Sequence, residues 1–250
     1  MRSQINGYLI GPSDPASAMA AADVWTPARL SPLLWWRPDA DAVTLVTGKV
    51  ASCVDRGSLV APLVQSTDAI RPTYVASGAR NGRPCIEATA TGQLLTAAGV
   101  TLPREVAIWI VTGTIATAGF AFTHLVGATR SHYLYPPGVA AFQVSNAAGS
   151  LYWARFSSWA AGKIANRGLL GIYDGTAIDV YSNNTNENGS TTGAAFASSN
   201  VTGTVGLFCS PDGVNPSVMQ IYEAAVFPAS SLTSSANRQF LRDYELARYG

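Results

Sequence analysis

Apolar positions along this chain follow two periods. From Leu33 to Phe227 they alternate with polar residues or fill short continuous runs, and Gly, Ser, Thr, Asn and Pro punctuate the segments. "AVTLVTG" alternates before a glycine, and "GVAAFQVSN" and "SLYWARF" read as neighbouring strands across an "NAAG" turn. "REVAIWIVTGTI" is β-branched, aromatic and nearly all apolar, the pattern of a central strand covered on both faces. "GLLGIYDGTAIDVYSNN" predicts a hairpin around Asp174-Gly175, where a type I′ turn would supply the positive φ that glycine accepts. "GTVGLFC" and "SVMQIYEAAVF" complete the set. Many short strands without alternating helices predict an all-β sandwich or jelly roll.

After Phe227 the period changes to that of a helix, over about 233–249. Ala236, Phe240, Tyr244 and Ala247 form an apolar stripe with Leu241 beside it, and Arg238, Arg242, Glu245 and Arg248 mostly take the other side. Thr233 or Ser234 is the expected cap, and Glu245 with Arg248 is a candidate i,i+3 pair. The stripe is too short for a coiled-coil seam, so the helix is expected to lie as a lid on the sandwich. Burying Phe240, Leu241 and Tyr244 there contributes roughly 1.5–3 kcal/mol per side chain. At the other end, residues 1–30 read as an extended arm before a domain of residues 31–250. Pro12, Pro15 and Pro27 break the arm, and its apolar Ile5, Tyr8, Leu9 and Ile10 are the candidate assembly contacts.

Composition narrows the partners. Of the 250 residues 48% are hydrophobic, so the chain folds, but only 12% are charged, against about 25% in an average soluble protein. The resulting Ser, Thr, Asn, Gly and Ala surface repels itself weakly, which suits a subunit of an assembly or a neutral cell-surface domain. A net charge of +1 with singly scattered basic residues argues against nucleic acid and anionic membrane as partners. Cys53, Cys85 and Cys209 lack a zinc-type spacing and read as buried small hydrophobes, with one bridge and a leftover thiol as the alternative. No signal-peptide core and no run near the ~20 residues of a membrane span is found, and a soluble protein is expected.

The closing residues resemble those of LamG-like jelly-roll domains, in the concanavalin A-like lectin/glucanase superfamily. The matching positions are Glu223, Leu232, Thr233, Asn237-Arg238-Gln239, Tyr244 and Tyr249-Gly250. "PLLWWRPDADAVTLVTGKVASCVDRGS", "IRPTYVASGARNGRPCIEATATGQLL" and "IYDGTAIDVYSN" are similar to further motifs of that family, in the same order. Departures are Cys53-Val54 where the family has a Trp, no phenylalanine in "IEATATG", and no acidic residue in the helix's first turn. With the leader "INGYLIG", the set looks like domains of tailed-phage virion proteins. The resemblance implies a concanavalin A-like jelly roll with an N-terminal arm and a C-terminal surface helix. It also implies a non-enzymatic virion subunit (decoration, tail or fibre-associated) that meets other virion proteins and forms a homo-oligomer.

Candidate chemistry is sparse. Glucanases of this fold set carboxylates at period-two spacing along one strand. Here the close acidic pairs are Asp39-x-Asp41, in a turn, and Asp243-x-Glu245, on the helix. No nucleophile elbow, P-loop or dinucleotide fingerprint occurs, and His124 and His132 are the only imidazole bases. No enzyme and no cofactor are expected. Asp179-x-Tyr181-x-Asn183 resembles the calcium-binding run of legume lectins, making Asp179 and Asn183 the candidate Ca²⁺ ligands; a plain hairpin is the other reading. Aromatic faces stack on sugar rings, and Tyr133, Tyr135, Trp153 and Trp159 are the candidate carbohydrate contacts, with ordinary packing as the alternative. Two functions therefore stand: a virion structural protein, with or without glycan adhesion, and a carbohydrate-binding module for cell-surface glycans. A glycan-active enzyme is a distant third.

Overall fold

The computed structural model describes residues 4–5, 8–9, 26–117, 119–135, 141–146, 150–156, 165–193 and 199–250. Antiparallel strands form two packed layers. The back layer is built on Val106–Thr117, buried from Val106 to Gly113. It pairs with Gly168–Tyr173 on one side and Val218–Pro228 on the other. Ile178–Ser182 extends the first side, and Leu34–Trp36 and Cys85–Glu87 extend the second. The front layer runs from Asn188–Thr192 through Leu151–Phe156, Ala141–Ser145, Thr129–Tyr135, Phe122–Val126 and Asn200–Leu207 to Leu95–Pro103.

Residue parity on the back layer explains the terminal helix. Ile108, Ile110, Leu169, Tyr173 and Val226 face the front layer, where they meet Phe122, Leu134, Phe142 and Ala154. Ala107, Trp109, Val111, Leu170, Ile172 and Phe227 point the opposite way, into a second apolar cluster. A sheet apolar on both faces needs two covers. The second cover is the helix Ser235–Tyr249, whose Leu241, Tyr244 and Tyr249 lie in that cluster. Between the layers a close approach falls at Gly171, where a Cβ would stand 2.3 Å from the Phe142 ring.

Several local expectations are corrected. The hairpin at Asp174-Gly175 forms, but Tyr173 pairs with Ile178 around a longer loop in which Gly175 alone has positive φ. Asp174 Oδ1 holds that loop by accepting from Thr176 N and Ala177 N, at 2.9 and 2.7 Å. The two-residue turn with both φ values positive lies further on, at Asn183 (51°) and Asn184 (66°), where Ser182 pairs with Thr185. Asparagine tolerates this region because its short side chain bonds locally. On the helix, Ser234 is the cap residue, but its hydroxyl makes no capping bond, and the Thr233 hydroxyl donates to Ser230 O. The buried stripe is also rotated: Ala236 and Ala247 are exposed, Phe240 is half-buried, and Glu245 is buried. The three cysteines are free and buried. In the arm, Gln4–Ile5 and Tyr8–Leu9 pair with each other in a small sheet of their own; Ile10 lies outside the described residues.

Candidate functional site

The outer face of the front layer gathers aromatic residues that are distant in sequence. Strand register sets one row across it: Thr96, Gly206, Thr123, Tyr133, Gln143, Trp153 and Thr192. The alternate residues Phe122, Leu134, Phe142 and Ala154 fill the core, so Thr123, Tyr133, Gln143 and Trp153 face away from it. Thr123 is covered, its hydroxyl donating to Cys209 O at 3.3 Å. Phe120 lies against Tyr133 with ring centroids 4.9 Å apart. The Tyr133 hydroxyl donates to Gln143 Oε1, and the Gln143 amide nitrogen has no partner among the described residues. Trp153, half-buried, follows one strand further, about 10 Å from Tyr133 at two strand spacings. Exposed Arg155 stands over the Trp153 ring, its guanidinium carbon 4.2 Å from the centroid. Tyr135 occupies the register position opposite Ala141, two residues beyond Tyr133. Trp159 lies outside the described residues.

The register thus brings Tyr133 and Trp153 onto one face, with Gln143 between them. Sequence reasoning missed Gln143 and Arg155. The signal for Arg155 was its i,i+2 spacing from Trp153 within a strand, which puts both on one side. Chemically the row offers two half-buried rings and the nearly buried Gln143 amide (6% exposed), and Arg155 beside it adds an exposed cation. It can hold a polar ring compound, but its described residues include no carboxylic acid or imidazole to move a proton.

The titratable groups elsewhere serve the fold. His124 and His132 are buried and stacked between the layers, with Nδ1 atoms 3.3 Å apart. Their Nε2 atoms meet Val100 O and Arg104 O at 3.1 and 3.2 Å, so each neutral ring spends its proton on a carbonyl. Burial lowers His124 to about 4 and His132 to about 3. Asp179 Oδ1 accepts from Asn186 Nδ2 and Asn188 Nδ2 at 3.3 and 2.6 Å. Asn183 Oδ1 accepts from Gly168 N and Arg242 Nη1. Among the described residues no group of three or more His, Cys, Asp or Glu could hold a metal.

Two buried acids, Asp55 and Glu223, are fold devices as well. Asp55 takes three backbone N–H bonds, from Trp35, Gly57 and Ala61, each 2.7 Å. Glu223 is fully buried beneath the helix and accepts from Trp35 Nε1, Tyr244 Oη and Tyr249 Oη. A bulge opposite Val111 and Thr112 turns Tyr222 and Glu223 to the same outward side. Burial raises the Glu223 carboxyl above its ordinary value, against the pull of the tyrosine and tryptophan donors. Glu245 pairs with Arg80 (2.9 Å) and Arg242 (3.3 Å), and Arg248 pairs with Asp39 (2.6 Å), which replaces the expected Glu245–Arg248 pair.

No protein-family model and no curated protein matches the sequence. Solved structures do match. The ligand-binding domain of botulinum neurotoxin serotype D, solved with N-acetylneuraminic acid, superposes with a TM-score of 0.56 at 9% identity. The match covers 90% of this chain and 52% of that one. Domain 4 of AbnA, a GH43 extracellular arabinanase from Geobacillus stearothermophilus, solved with arabinotriose, gives 0.54 at 13% identity, covering 86% and 98%. The binding domain of serotype G gives 0.55 at 8% identity, covering 84% and 50%. The shared fold is an antiparallel β-sandwich. This sandwich spans about half of the toxin domains it matches and nearly all of the arabinanase domain. The two toxin neighbours are binding domains by name. Among the described residues no helix is long and apolar enough to cross a membrane.

Proposed function

We propose that this lectin-like sandwich is a non-catalytic glycan-binding module, and that it binds on the outer face of the front layer. One observation carries the reading: strand register brings Tyr133, Gln143 and Trp153 into one row on the face opposite the core. Ring faces stack on the apolar faces of pyranoses, and the amide between them gives orientation by hydrogen bonding. Two domains of similar fold were solved holding sugars, which supports the class of ligand. No metal is required by this geometry. The test is a glycan array probed with the native protein, Trp153→Ala and Tyr133→Ala. Binding reduced roughly tenfold or more in Trp153→Ala, corresponding to about 1.4 kcal/mol, is expected. A blank array for the native protein refutes it.

The setting we read for this binding is the virion of a tailed phage, with the sandwich as an adhesion or decoration subunit. The low surface charge and the arm's self-paired strands Gln4–Ile5 and Tyr8–Leu9 support docking onto neighbouring subunits, as a symmetric oligomer. Ile5, Tyr8, Leu9 and Ile10 are the contacts this assigns to the arm. Light scattering on the purified protein and rebinding to particles lacking it test the assignment. A monomer that ignores such particles overturns it.

A further inference from the structure

Building on the glycan-binding reading above, we propose that the front face selects carboxylate-bearing glycans, those with sialic or uronic acid residues, and that Arg155 is the anion contact. The first observation is one of charge distribution. From Val106 to Tyr173 the chain has four basic residues, Arg130, Arg155, Lys163 and Arg167, and not one Asp or Glu. Since the whole chain carries +1, the remaining residues together carry −3. That carboxylate-free stretch contains the strands Phe122–Val126, Thr129–Tyr135, Ala141–Ser145 and Leu151–Phe156, which make up most of the face.

The second observation separates Arg155 from the other cation of these strands. Arg130 is already neutralised by Asp212, at 2.6 Å, from the loop that follows Asn200–Leu207. Arg155 is exposed and has no hydrogen bond or ion pair to any described residue. Its neighbours across the strands are Ala141 and Ser190, both uncharged. Its described contact is the stack over Trp153. Stacking uses the π-face of a guanidinium and leaves its in-plane N–H donors free, in the fork that matches a carboxylate. It also restrains a long side chain that would otherwise lose rotamer freedom on binding. A sugar ring placed against the Tyr133–Gln143–Trp153 row can therefore direct a carboxylate at Arg155 without meeting a like-charged side chain in that row. A neutral sugar leaves the cation unanswered.

The experiment compares sialyllactose with lactose, and oligogalacturonate with its methyl ester, by calorimetry. The proteins are the native chain, Arg155→Gln, Arg155→Lys and Trp153→Ala. Thermal melting of each variant checks that it folds, as an exposed position should allow. The native protein is expected to prefer the acidic member of at least one pair by roughly 10- to 100-fold, the range of one charge-assisted contact. Arg155→Gln should remove that preference while keeping the weaker neutral binding, and Arg155→Lys should retain part of it. Raising salt from 0.05 to about 0.5 M should narrow the gap, since exposed charges are screened. Equal affinity for acidic and neutral members, or a preference that survives in Arg155→Gln, overturns this inference and leaves Trp153-dependent glycan binding in place. Absence of binding to every sugar, acidic or neutral, overturns both.

Discussion

Replacing Glu245 by alanine should loosen the C-terminal helix about as much as truncating one of its buried apolar side chains. The carboxylate is 1% exposed and the Arg80 side chain facing it 8% exposed, with Nη2 and Oε1 2.9 Å apart. Arg80 also donates from Nε to Tyr249 O and from Nη1 to Thr112 O, both at 3.2 Å, so one guanidinium ties the helix end to the back layer. Gly168 leaves the room for Glu245: a Cβ at that position would lie 2.2 Å from Oε2. Removing the acid leaves a buried cation with two carbonyls and no counter-charge, which costs roughly 3–5 kcal/mol. For a chain of this size each kcal/mol moves the melting temperature by about 2–4 °C, so a drop of roughly 6–20 °C is expected. Urea denaturation should show a lower midpoint at an unchanged slope. The double variant Arg80→Met/Glu245→Leu, which removes the buried pair, should recover part of the loss; the partly exposed Arg242 then keeps Asn183 as its partner, and the Thr112 and Tyr249 carbonyls lose a donor. A Glu245→Ala unfolding free energy within about 0.5 kcal/mol of native would refute this. So would a double variant less stable than the single one.

Acid should destabilise the sandwich through its histidines. Burial places the folded pKa values of His124 and His132 at about 4 and about 3, below the ordinary 6.5. The unfolded chain therefore takes up protons first as pH falls. The neutral pair contributes fully above pH 6.5, and that contribution is lost on descending toward pH 4, at up to about 1.4 kcal/mol per pH unit for each ring. Urea midpoints at pH 7, 6 and 5 should fall more steeply for the native protein than for a His124→Asn/His132→Asn variant; parallel slopes would contradict this. Gly171→Ala drives a methyl into Phe142, so a loss of roughly 1–3 kcal/mol is expected in the same assay, and a neutral result would contradict the tight layer contact. Glu223→Leu strands the Trp35, Tyr244 and Tyr249 donors, and should cost more than Glu223→Gln, which keeps an acceptor. Equal melting temperatures for the two would count against that network.

The features legible in the sequence are those set by local parity. Val106–Gly113 read as doubly covered because its apolar residues ignore the period of two, and the terminal helix supplies the cover that pattern demands. The helix's own buried face was misread because Glu245 looks like a solvent residue until Arg80, 165 positions earlier, stands opposite it. Glu223 was legible as a motif residue but not as a buried acceptor. Its neighbours arrive through a bulge and from Trp35, 188 residues away. The two-residue turn fell at Asn183-Asn184 rather than Asp174-Gly175 because the Asp174 side chain closes its loop by itself. Of the candidate sugar contacts, Tyr133 and Trp153 were found by residue type alone. Arg155 was within reach through its i,i+2 spacing from Trp153, whereas Gln143 joins them only once strand register is known.

Glycan binding on the front face is tested most directly by titrating ¹⁵N-labelled protein with sialyllactose and following the amide shifts residue by residue. Shifts concentrated at Tyr133, Gln143, Trp153 and Arg155, with the helix Ser235–Tyr249 unmoved, are the expected result. Shifts clustered on the helix or spread along the back layer, with that row silent, would contradict it.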